Sequence, residues 1–122
     1  MRPPVEHVRV SARSKEILIK IKRRTGLEHW NEICRMALCR SFANSTPPPK
    51  LDKSGDSSID MDWKTFAGSL HEHLSAITIL KANKDGINIS MKDAVADYFR
   101  AHLERGIMGL QNVKDLRDLY CI

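Results

Sequence analysis

The sequence predicts an all-α protein, a compact bundle of about four main helices preceded by a short strand or extended arm. Two observations carry that prediction. Apolar residues recur at three- and four-residue spacing through Trp30–Phe42, Trp63–Leu80 and Val95–Leu103, the periodicity of a helix with one buried face. Capping residues and glycines punctuate those stretches where helices would begin and end. A chain of 122 residues has room for one core, so residues 1–122 are expected to form a single domain.

At the N-terminus, polar His7 and Arg9 alternate with Val8 and Val10, which suits a short strand or an extended arm equally. Ser11 can cap free helix N–H groups, and Ala12 to Arg24 contains no Gly or Pro, so a first helix is expected there. Ile17, Leu18 and Ile21 share one face of it, while Ile19 points away. Gly26 can adopt the left-handed conformation that closes a helix. The second helix carries a stripe of Trp30, Ile33, Cys34, Ala37, Leu38 and Phe42. From 44 to 60 the chain reads NSTPPPKLDKSGDSSID, whose prolines forbid helix and whose polar residues offer little to bury. An exposed connection is expected.

A third helix is expected from about Met61 to Asn83, burying Trp63, Phe66, Ala67, Leu70, Leu74, Ile77 and Leu80. Ser90 is the expected cap of a fourth, with Asp93 three positions on and Val95, Tyr98, Phe99, His102 and Leu103 as its buried stripe. The end, VKDLRDLYCI, adds a short last helix.

Charge is unevenly spread. Residues 1–43 hold ten Lys/Arg against four acids, whereas the other 79 residues hold ten against eleven, so the whole excess lies in the N-terminal third. Six of those cations, Arg13, Lys15, Lys20, Lys22, Arg23 and Arg24, lie on the first helix. Arg13, Lys20 and Arg24 share one azimuth, Lys15 and Lys22 take the opposite border of the apolar stripe, and Arg23 falls between. Cations at a helix C-terminus also stabilise the dipole, which explains part of the cluster without any ligand. The asymmetry favours phosphate-backbone binding, with these six as candidate DNA contacts.

Cys34 and Cys39 stand about 140° apart around a helix, and no CxxC or nearby His pair completes a metal site, so core packing is expected of both. His102 reads as a satisfied core histidine. The acids do not cluster as a magnesium nuclease requires, and there is no phosphate-cradling Gly loop, nucleophile elbow or zinc-protease motif. Neither catalysis nor a cofactor or metal is expected. The odd cysteine count, the absence of a signal-peptide run and the lack of a long apolar span point to a soluble, cytoplasmic protein.

Two stretches carry a family resemblance: VRVSARSKEILIKIKRRTGLEHWNEICRMALCRSF at the N-terminus, and AHLERGIMGL at residues 101–110. Together they resemble the DndE family, the small subunit of the bacterial DNA phosphorothioation system. That resemblance implies a non-catalytic subunit that binds duplex DNA, favours nicked duplex, forms homotetramers and works beside other subunits that supply the sulfur-transfer chemistry. Ile19 and Gly26 are then candidate contacts between protomers. A ribbon-helix-helix regulator or antitoxin is the alternative, because strand, helix, Gly-containing turn and helix follow in its order, with His7 and Arg9 as strand residues for the major groove.

Overall fold

The computed structural model describes residues 2–50 and 56–120. Strand β1 (His7–Ser11) leads into α1 (Ala12–Thr25) and α2 (Trp30–Ala43). Strand β2 (Asp56–Asp62) follows, then α3 (Trp63–Ala67), a 3-10 turn (Gly68–Leu70), α4 (His71–Lys84), α5 (Lys92–Met108) and α6 (Leu116–Tyr120). The described chain is mostly helical, as expected, but it also has a two-stranded antiparallel sheet in the order β1-β2.

That sheet corrects two expectations. The connection placed at 44–60 ends in a strand, and residues 61 and 62 belong to it rather than to a helix. The register pairs His7 with Asp62, Val8 with Met61 and Arg9 with Asp60, and shifts before Ser11 meets Asp56. Alternation explains the pairing: Ile59 is buried and Met61 half-buried, while Asp60 and Asp62 face outward. Val8 and Val10 are buried opposite them, whereas His7 Nδ1 and Arg9 Nε lie 3.1 and 3.3 Å from the Asp60 carboxylate. Both outward side chains of β1 are therefore engaged within the chain, and β1 takes its partner from the same chain.

The long third helix is also divided. Asp62 caps α3 by accepting from Thr65 N, and that bond holds its carboxyl below the usual range. Gly68, at φ 59° and ψ −136°, then takes a backbone conformation that side chains rarely allow, and the chain restarts as α4. The new helix is rotated. It buries Leu74, Ser75, Thr78 and Ala82, and the two hydroxyls bond back to His71 O and Leu74 O at 2.8 and 2.7 Å. Leu70, Ile77 and Leu80, expected in the core, are exposed. Ser90 does not cap α5 either; Met91 holds that position without a side-chain bond, and Ser90 Oγ donates to Asn88 Oδ1.

The core forms where α2 crosses α5. Ile33, Cys34, Ala37 and Leu38 meet Phe99, Leu103 and Ile107, all fully buried. The crossing is close enough that a Cβ at Gly106 would lie 1.9 Å from Ala37 O. Trp63, Phe66 and Phe99 extend the core as an aromatic cluster with centroids 5.5–5.7 Å apart. Cys39, expected inside, is exposed on α2.

His102 is buried as expected, but only one ring nitrogen is satisfied. Ser41 Oγ lies 2.8 Å from Nδ1 and accepts from Arg105 Nε at 2.9 Å. Nε2 is buried without a partner among the described residues. The ring packs edge-on to Phe42 and Tyr98 at 4.7 and 4.6 Å. Burial first, then the charges of Arg105 and Lys81, push its pKa down to about 4.

Two outcomes follow. Gly106→Ala should lower the unfolding free energy in urea by about 3 kcal/mol or more, because backbone on another helix must move. The unfolded histidine titrates near pH 6.5 and the folded one near 4, so between those values the unfolded state binds more protons and stability is lost as the pH is lowered. Urea titrations should show about 2 kcal/mol lost between pH 7 and pH 5, and His102→Gln should remove most of that slope.

Candidate nucleic-acid interface

Helix α1 is fixed at both ends by groups distant in sequence. At its start, Ser11 Oγ accepts from Ser14 N at 3.1 Å. Glu104 of α5 takes two further donors, Ser11 N at 3.0 Å and the Ser14 hydroxyl. A carboxylate there also complements the helix dipole. At the other end Gly26, with φ 76°, donates its N–H to Lys22 O, and Thr25 Oγ1 donates to Ile21 O at 2.7 Å. Ile17, Leu18 and Ile21 bury the inner face, as the sequence predicts.

The six candidate cations divide into distinct environments. Arg13, Lys20 and Arg23 are exposed, with no hydrogen bond or ion pair among the described residues. Arg24 is exposed too, but its guanidinium NH1 donates to Gln111 O and Val113 O, tying α1 to the segment after α5. Lys22 lies 4.4 Å from the centroid of Trp30, a cation–π contact across the α1–α2 turn. Lys15 is half-buried at the edge of the helix. Ile19 is 39% exposed, and with Gly26, Leu27 and Trp30 it lines a shallow groove of about 530 Å³ flanked by Lys22 and Arg23. The two residues singled out as candidate protomer contacts thus share one surface feature.

Much of the N-terminal cation surplus serves the fold. Arg35 donates to Phe66 O at 2.8 Å, Arg40 to Asp118 O and Leu119 O, and Arg9 bonds Asp60. Sequence reasoning also missed Trp30 as the seat of Lys22 and Glu104 as the N-terminal anchor of α1. Glu104 lies 93 positions from Ser11, a separation at which no local pattern speaks.

Burial, reinforced by Glu104, pushes the Cys34 thiol up to about 12, and burial also raises that of Cys39, so neither is poised as a thiolate. Cys121 lies outside the described residues. Among the described residues no three His, Cys, Asp or Glu side chains gather as metal ligands, and no helix is long and apolar enough to cross a membrane.

These features define a small, basic, mainly helical domain whose first helix presents cations to solvent. The chain belongs to the DndE family: the model for DNA sulphur modification protein DndE matches residues 7–118. The fold is similar to the crystal structure of DndE from Escherichia coli B7A, a protein involved in DNA phosphorothioation modification. The TM-score is 0.70 at 22% identity, over 87% of this chain and 96% of that one. A glycine-to-lysine mutant of DndE, involved in DNA phosphorothioation, gives a TM-score of 0.64 at 20% identity, over 88% of this chain and 98% of that one. No curated protein sequence matches the chain.

The anchoring of α1 has a direct consequence. Glu104→Ala leaves two α1 donors without their acceptor, and should lower stability by about 2 kcal/mol in urea unfolding. Amide exchange should accelerate most in the first turn of α1.

Proposed function

We propose that this protein is the non-catalytic, DNA-contacting subunit of a DNA phosphorothioation machinery, and that the outer face of α1 holds the phosphate backbone of duplex DNA. The single observation that carries this reading is the set Arg13, Lys20 and Arg23, exposed and without partners among the described residues of a DNA-modification family member. Unneutralised cations on a rigid helix gain by displacing the counterions of a polyanion. Lys22 and Arg24 join them at the rim while also serving the fold, and Lys15 adds charge at the opposite border.

Contacts of this kind position a protein without reading bases. A nicked duplex is the favoured form in this reading, because it bends across a helical surface at lower elastic cost than an intact one. Sulfur transfer belongs to other subunits of the same cytoplasmic machinery. Copies of the chain assemble into a homotetramer through the groove holding Ile19 and Gly26, which multiplies the weak phosphate contacts on one particle.

Binding to intact, nicked and single-stranded DNA across a salt series tests the reading. The triple variant Arg13→Glu, Lys20→Glu, Arg23→Glu should fold normally and lose most of its affinity for duplex. Each lost phosphate contact should make the plot of log affinity against log salt shallower by about 0.9. Unchanged affinity and slope would overturn the assignment of α1, and preference for one palindromic sequence would overturn backbone binding in favour of a regulator.

A further inference from the structure

The segment after α5 is fixed beside the basic end of α1. Arg24 NH1 donates to Gln111 O at 3.3 Å and to Val113 O at 3.1 Å. Covalent geometry then keeps Lys114 Cα within roughly 6 Å of that guanidinium. Lys20 precedes Arg24 by four residues, so it shares the same side of α1, roughly 6 Å back along the axis. Cations at 20, 24 and 114 therefore follow one another off the C-terminal end of the helix. Lys114 is exposed, and its ammonium has no hydrogen bond or ion pair among the described residues. The two acids close to it in sequence hold backbone groups instead: Asp118 accepts from Lys114 N at 3.2 Å, and Asp115 from Asp118 N at 3.0 Å. Those N–H groups offset part of the carboxylate charge. The inner side of the segment is anchored as well. Val113 and Leu119 are buried in the core, and Arg40 of α2 donates to Asp118 O and Leu119 O.

We propose that residues 111–114 form a second bank of the DNA-contacting surface, with Lys114 as a further phosphate contact and Arg24 as the residue that positions it. This extension rests on the reading of α1 as a phosphate-binding face. Duplex DNA carries one charge per roughly 1.7 Å of axis, so cations set several ångströms apart can each meet a phosphate. A cation on an anchored segment also gives up less conformational freedom on binding than one on a free tail. Arg24 and Lys114 act as a pair. One guanidinium nitrogen bridging two carbonyls fixes the path of the chain into Lys114, and an ammonium in its place would keep the charge but lose the planar fork. The charge asymmetry of the sequence does not reveal Lys114, because it lies in the stretch whose acids outnumber its Lys and Arg.

Duplex binding by the full chain across a salt series, with an intact and a nicked duplex as probes, tests the extension. Lys114→Ala should make the plot of log affinity against log salt shallower by about 0.9 and weaken binding roughly eightfold at about 0.1 M salt. Arg24→Lys, which keeps the charge, should lose about as much, and amide exchange at Val113 and Lys114 should quicken. The double variant should lose no more than either alone. Lys84→Ala, the same charge change on α4, should leave affinity and slope as in the wild type. Losses at 24 and 114 that simply add would overturn the positioning role of Arg24, and an equal loss from Lys84→Ala would overturn the site, because net charge rather than place would then set affinity. If the α1 triple variant loses duplex binding while Lys114→Ala keeps wild-type affinity and slope, the second bank is overturned and the reading of α1 stands. If the triple variant binds as the wild type does, the reading of α1 fails and the extension fails with it.

Discussion

The fold depends on one close contact, the crossing of α5 over α2 at Gly106. With a Cβ there placed 1.9 Å from Ala37 O, only glycine lets the two backbones approach this far. The crossing sets the height of every other residue on that part of α5. One turn spans His102 to Arg105, and three of its side chains leave in different directions to hold different elements. Glu104 reaches the start of α1, Arg105 reaches Ser41 Oγ, Ser41 O and Thr46 O at the end of α2, and His102 fills the space beneath Ser41. A shift of one residue in the crossing would misdirect all three.

The same turn accounts for the polar groups buried between α2 and α5. Arg105 donates to Ser41 O in the last turn of α2, which also accepts from Asn44 N, and to Thr46 O just beyond it, and so fixes where the proline-rich connection begins. Tyr98 contributes from one turn earlier through Asp85 at 2.6 Å; burial and that bond push its hydroxyl well above the usual range, so it remains a donor. His102 Nε2 is the exception, a buried ring nitrogen without a partner among the described residues, and the network around Nδ1 offsets its desolvation. These bonds specify how α2, α4 and α5 meet more than they add to stability.

Local signals were legible in the sequence, and long-range ones were not. Ser11, Gly26 and the inner face of α1 follow from capping and periodicity, and they stand as read. Strand β2 was hidden because its inward residues, buried Ile59 and half-buried Met61, sit among serines and aspartates that read as loop. A two-residue period over so short a run becomes a signal only when β1 supplies the edge. The third helix failed for a different reason. Trp63, Phe66 and Leu74 kept a helical period across Gly68, but the glycine resets the azimuth, and a wheel drawn through it assigns Ile77 and Leu80 to the wrong side. Even the family resemblance rested partly on a structural element, since residues 101–110 contain the turn that holds the molecule together.

Charge is where sequence and structure differ most usefully. A surplus of positive charge in residues 1–43 suggests an interface, yet Arg24, Arg35 and Arg40 donate to backbone carbonyls and Arg9 to a carboxylate. These arginines fasten the segment after α5, α3 and α6 to the N-terminal helices, and a planar guanidinium suits such carbonyl contacts better than an ammonium would. In the proposed reading, what remains for a polyanion is a smaller set on one face of α1, and the rigidity of that helix gives the set its value. Cations on a loop would lose conformational freedom on binding, whereas α1 is held in advance by Glu104 at one end and by Arg24 and Gly26 at the other. The arginines that contact no ligand in this reading therefore contribute to binding indirectly, because they fix the surface from which Arg13, Lys20 and Arg23 project.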